Sequence, residues 1–130
     1  MILDTTYLVD LFDGRENAFQ KGVQLSESGT IQRVPSPVVM ELSYGSEFGD
    51  EEERRNIQNA LRMYPIVEQT ETIAHRAGQL LAQADQKADG ESGIDKVDPM
   101  IAAVSEIYDE PVLTANREHF EQLGTPVETY

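Results

Sequence analysis

Cysteine is absent from the 130-residue chain, so neither a disulfide nor a thiolate metal site can form. Any bound metal must take oxygen ligands or the two histidines, His75 and His119. No apolar run reaches the roughly 18 residues of a membrane-spanning helix, which excludes that element and a membrane partner. The start, "MILDTTYLVDLF", has no basic segment and meets an acid at position 4, unlike a secretory signal. The expectation is a cytoplasmic protein. Positive charge is scarce too: 10 bases face 24 acids, and Lys21, Lys87 and Lys96 are the only lysines. The net charge is −14 and the pI is near 4.3.

An apolar content of 39% with clear periodicity points to a folded chain rather than a disordered acidic one. The length suits one domain over residues 1–130. A dispersed acidic, lysine-poor surface is similar to that of proteins from salt-accumulating halophiles. In molar salt the Debye length is about 3 Å, so self-repulsion is screened. Acidity then speaks of the solvent and leaves an anionic substrate such as RNA open.

Neither a repeat nor a linker divides the chain. "ILD" reads as a short strand, with a helix over 5–13 and an amphipathic helix over 15–28. "TIQRVP" alternates like a strand, and Ser36 and Pro37 suit the N-cap and first turn of the next helix. Asp50 suits the cap of a further helix, with pairs Asp50/Arg54 and Glu51/Arg55 supporting it. "PIVEQ" is a short strand, a long helix starts from Thr70 or Thr72, and 85–93 is a polar loop. "VDPMIAAVSEIY" is a helix, "PVLT" a buried strand, "REHFEQLG" a short helix and "TPVETY" an edge strand. Strands alternating with helices predict a three-layer α/β/α domain around a central, mainly parallel sheet.

Sites in such folds lie at the carboxyl ends of the strands. There the sequence places Asp4 followed by Thr5 and Thr6, Glu41 inside "VVMELSYG", Asp98, and Thr114 followed by Asn116. Each has a local reading as well. Asp4 can cap a helix, Asp98–Pro99 fits an N-cap and N1, and Asn116 suits a helix start. Glu41 is harder to explain away, because an isolated Glu in an apolar stretch is rarely buried without a partner. Converging carboxylates would repel one another, and a divalent cation resolves the conflict. Oxygen-only ligation with water suits Mg²⁺ or Mn²⁺ and implies phosphodiester hydrolysis. A haloacid-type phosphatase is ruled out, since it needs an acid where Thr6 stands.

Four stretches in order, "ILDTTYLVDLF", "SPVVMELSYG", "VDPMIAAVSE" and "PVLTANREHF", resemble the motifs of PIN-domain ribonucleases, in particular VapC-type toxins of toxin–antitoxin pairs. The resemblance spans nearly the whole chain. It implies an Mg²⁺- or Mn²⁺-dependent endoribonuclease with Asp4, Glu41 and Asp98 at the metal-binding acid positions. Thr6 and Thr114 match the family's hydroxyl positions. Asn116 stands where an acid is frequent, so a second metal would draw on Asn116, Asp95 or Glu118. The resemblance also implies an RNA substrate, a homodimer and inhibition by a VapB-like antitoxin. An RNA-processing PIN nuclease and a catalytically silent PIN-like binding module are the alternatives. Asp95 reads as a solvated loop residue, and His119 and His75 as surface or packing residues. Arg15, Arg54, Arg55, Arg62 and Arg117 offer phosphate contacts, Arg117 foremost, although helix-face ion pairing is the simpler role for most.

Overall fold

The computed structural model describes all residues from Met1 to Tyr130. Five strands are only two residues long: β1 (Ile2–Leu3), β2 (Val34–Pro35), β3 (Ile66–Val67), β4 (Val112–Leu113) and β5 (Val127–Glu128). Seven helices separate them: α1 (Thr5–Phe12), α2 (Glu16–Glu27), α3 (Ser36–Ser46), α4 (Glu51–Leu61), α5 (Glu71–Lys87), α6 (Val97–Tyr108) and α7 (Arg117–Gln122). All pairings are parallel. A three-stranded sheet runs β1-β4-β5, and β2-β3 joins it through an Ile2–Arg33 bridge. The combined order is therefore β3-β2-β1-β4-β5. Helices on both sides complete the three layers, since parallel neighbours need crossover connections.

The strand residues other than Glu128 are apolar and, in β1 and β4, wholly buried. Each fully buried Leu, Ile or Val contributes about 1.5–3 kcal/mol. Helix α6 is the innermost: Ile101 to Ser105 are all buried, and it packs on α5, α3, β1 and β4. The small Ala102 and Ala103 permit that close approach. Beneath the opposite ends of the strands, the Met1 ammonium and Arg33 both bond Glu110, at 2.7 and 3.0 Å. No helix is long and apolar enough to cross a membrane.

Several local expectations change. Ser36 is the first residue of α3, not its cap; its hydroxyl accepts the Gln69 N–H at 3.0 Å, tying α3 to the segment after β3. Asp50 does cap α4, accepting Glu53 N–H at 2.8 Å. Neither Asp50/Arg54 nor Glu51/Arg55 forms an ion pair; Arg54 reaches back instead to Glu47 and to the Gly49 carbonyl. Thr70, not Thr72, caps α5. The polar loop begins later than 85: Asp85 is still helical and anchors the loop by accepting both the N–H and the hydroxyl of Ser92.

Candidate metal centre at the strand ends

Asp4 follows β1 directly. By position it is the N-cap of α1, yet its side chain makes no capping bond. Its Oδ2 instead accepts the hydroxyls of Thr6 and Thr114, each at 2.7 Å. These two hydroxyls lie 3.3 Å apart, and the backbone fixes both: Ala115 N–H donates to Thr6 and Asn116 N–H to Thr114. Asp4 is 3% exposed and Thr114 is fully buried. Asp4 Oδ1 takes no hydrogen bond from the protein.

Asp98 lies across from Asp4 on the first turn of α6. It is not the N-cap, a position held by Lys96, whose side chain does not cap. The capping bonds come from Asp95, whose Oδ1 accepts the N–H groups of Val97 and Asp98. Asp98 is thereby freed from the backbone. Its Oδ2 meets His119 Nδ1 at 2.8 Å and Asn116 Nδ2 at 3.4 Å. Burial pushes Asp98 up to about 6; the His119 bond opposes this, while the charges of Asp95 and Asp4 add to it.

Glu41 sits half-buried on α3, held by the Thr5 hydroxyl at 2.6 Å. Burial raises its carboxyl above the usual range, the Thr5 bond resists, and Asp4 and Asp95 reinforce the rise. The charges of Asp4 and Asp95 thus act on both Glu41 and Asp98, as smaller contributions beside burial. Glu118 does not join them: it is exposed and accepts from Gln122.

The donor set is all oxygen apart from one imidazole, and its repulsion is what a cation would relieve. No three acidic or imidazole groups are near enough to cage an ion between them. Magnesium-type ions are commonly held by one or two carboxylates with water filling the remaining positions, and the residues fit that mode.

His119 is the residue that the linear reading misplaces. It stands three residues after Asn116, the N-cap residue of α7, and that spacing was the available signal. Thr5 was likewise visible without its Glu41 contact. His75 stays exposed beside Glu71. Among the arginines, Arg117 pairs with Glu121 at 2.5 Å, Arg15 with Asp10 at 3.1 Å and Arg54 with Glu47 at 4.0 Å; Arg55 and Arg62 carry no ion pair.

A parallel α/β domain with buried acids gathered at its strand ends is the class of protein defined here. The PIN domain family profile matches residues 1–125, and the chain belongs to the PIN-domain family. VapBC2 from Rickettsia felis, bound to a DNA fragment from its promoter, is similar in structure with a TM-score of 0.84 and 18% identity. The match covers 99% of this chain and 97% of that one. DNA-bound VapBC from Salmonella typhimurium gives 0.84 at 22% identity, covering 98% and 96%. FitAcB from Neisseria gonorrhoeae gives 0.74 at 18%, covering 97% and 94%. At these identities the likeness establishes the fold. No match is found among curated proteins.

Proposed function

We propose that the chain is a VapC-like endoribonuclease, one PIN domain over residues 1–130 that hydrolyses RNA phosphodiester bonds with Mg²⁺ or Mn²⁺. The observation that supports this most is the gathering of Asp4, Asp98 and Glu41 at the strand ends, where burial first, and neighbouring acids in addition, raise the carboxyls of Asp98 and Glu41. Asp4 and Asp98 would hold the ion, with Glu41 binding directly or through water. Bound there, a divalent cation supplies a polarised phosphate oxygen and a water of lowered pKa. Thr6 and Thr114 keep Asp4 in one orientation, Asn116 borders Asp98, and Thr5 holds Glu41 Oε1 while Oε2 stays without a protein partner.

RNA cleavage with and without Mn²⁺ tests the reading, using wild type, Asp4→Asn and Asp98→Asn. Cleavage should need the metal and fall at least ~100-fold in both variants, the scale of losing one preorganised electrostatic group. Undiminished cleavage by both sinks it.

A small VapB-like antitoxin is the partner in this reading. The groove between α1, α3 and α4 supports it: Val9, Phe12, Leu42 and Ile57 form an apolar floor, with Glu41 and Glu53 at the rim. An amphipathic segment carrying basic residues would suit that lining. Met40, Tyr44 and Phe48 form an exposed stripe on α3 and the turn after it, with the two rings edge-to-face at 5.2 Å, which supports a homodimer. Sedimentation with and without the antitoxin would weigh both. A short reading frame just upstream would favour a toxin over an RNA-processing nuclease. A salt-accumulating cytoplasm fits the charge of −14.

Two observations favour the silent binding module: Asn116 brings no charge, and no three-group cage is formed. Titration with Mn²⁺ separates the two, since the silent module takes up no ion.

A further inference from the structure

"TANREHF" sets Asn116 and His119 about one helical turn apart, so packing of α7 on α6 carries both to Asp98. His119 Nδ1 lies 2.8 Å from Asp98 Oδ2, across 21 residues of chain. Asn116 Nδ2 stands 2.7 Å from the same imidazole nitrogen and 3.4 Å from the same oxygen. An ionised carboxylate only accepts and an amide nitrogen only donates, so Nδ1 serves one neighbour at a time: with its proton it donates to Asp98 Oδ2, without it, it accepts from Asn116. The side chains of His119 and Asp98 are 34% and 10% exposed, so water screens this contact less than an open surface pair. Asp98 Oδ1 has no protein partner.

Asp4 is held by the same device. Two neutral hydroxyls occupy its Oδ2 and leave Oδ1 open. Each of the two acids thus has one oxygen held by side chains and one spare.

We propose that His119 is a positioning residue for Asp98, holding Oδ2 so that Oδ1 is presented to the cation; this rests on the nuclease reading above. The role has weight here because Asn116 adds no charge. One oriented carboxylate, rather than two neighbouring acids, serves this side of the site. Groups that orient a metal-binding side chain typically change metal affinity or activity about 10–100-fold when removed. His119→Asn is the conservative variant, since an Asn amide nitrogen can take the place of Nδ1.

Titration of the intact chain with Mn²⁺, read by calorimetry and by the electron paramagnetic signal of free Mn²⁺, tests this. His119→Ala should bind about 10–100-fold more weakly while remaining folded by circular dichroism. His119→Asn should bind close to wild type, and ¹⁵N NMR should show His119 protonated at Nδ1. Wild-type affinity in His119→Ala overturns the role alone, and so does the Nε2–H tautomer. Equal losses in both variants overturn it too, making the imidazole itself a ligand. A wild type that takes up no Mn²⁺ overturns the nuclease reading and this role with it.

Discussion

Asp95 caps the helix that carries Asp98: one carboxylate oxygen accepts the N–H of Val97 at 2.8 Å and of Asp98 at 3.1 Å. Two acids three residues apart therefore divide two tasks. The exposed one ends the backbone's demand for acceptors, and the buried one is left for the site.

Asp95→Ala should lower stability by about 1 kcal/mol, the usual loss on removing a cap. For a chain of this size that is a fall of roughly 4 °C in Tm. Asp95→Asn should keep the cap and nearly all of the stability. Calorimetric Mn²⁺ titration of the Asn variant adds the second half of the test: an affinity unchanged from wild type marks Asp95 as a cap, whereas a lost affinity marks it as a ligand.

Thr114 donates to Asp4 and accepts from Asn116 N–H within a fully buried position. Thr114→Val keeps the shape but strands a backbone donor and removes half of the Asp4 bonding. The expected destabilisation is about 1–3 kcal/mol by urea unfolding, with cleavage reduced as well. Thr114→Ser should retain both. Equal stability for Val and Ser would contradict the bonding described.

The site should carry an inverted pH dependence in metal-free buffer. Asp98 rises to about 6 in the folded protein through burial and neighbouring acids. A carboxyl with a raised folded pKa binds protons more readily folded than unfolded. Stability attributed to it therefore falls as pH climbs from about 4 to 6. Asp98→Asn should accordingly melt higher than wild type at pH 7, with the gap closing near pH 4. Saturating Mn²⁺ should reverse the order at pH 7. Glu110 acts in the opposite sense: burial works against its charge, but the Met1 ammonium and Arg33 hold it below the usual range. Its contribution is present at neutral pH and lost on acidification. Thermal scans of wild type, Asp98→Asn and Glu110→Gln across pH 3–7 in chelator check both signs.

With a net charge of −14, the folded chain should gain stability with salt. Raising KCl from about 0.1 to 1 M shortens the Debye length from about 10 to 3 Å and screens self-repulsion. An increase in Tm over that range is expected, and an unchanged or lower Tm would remove the support for a high-salt setting.

Much of the local structure was legible in the chain. The apolar spacing along 71–87 and 97–108 marked α5 and α6, because a helix that buries one face repeats its apolar residues about every 3.6 positions. The acids after short apolar strands marked the candidate site's side of the sheet, because strand ends are where backbone turns outward. Ser36, and Asp98 in its local reading, fit caps that they do not form, since capping is decided by which acceptor is free and each had a distant partner or a closer rival. Gln69 engages Ser36, and Asp95 displaces Asp98. The strand order β3-β2-β1-β4-β5, the Asp4–Thr114 bond across 110 residues and the Asp98–His119 contact across 21 were decided by tertiary structure alone. Periodicity records which face of an element is buried, whereas these contacts depend on which elements pack side by side, and nothing local encodes that.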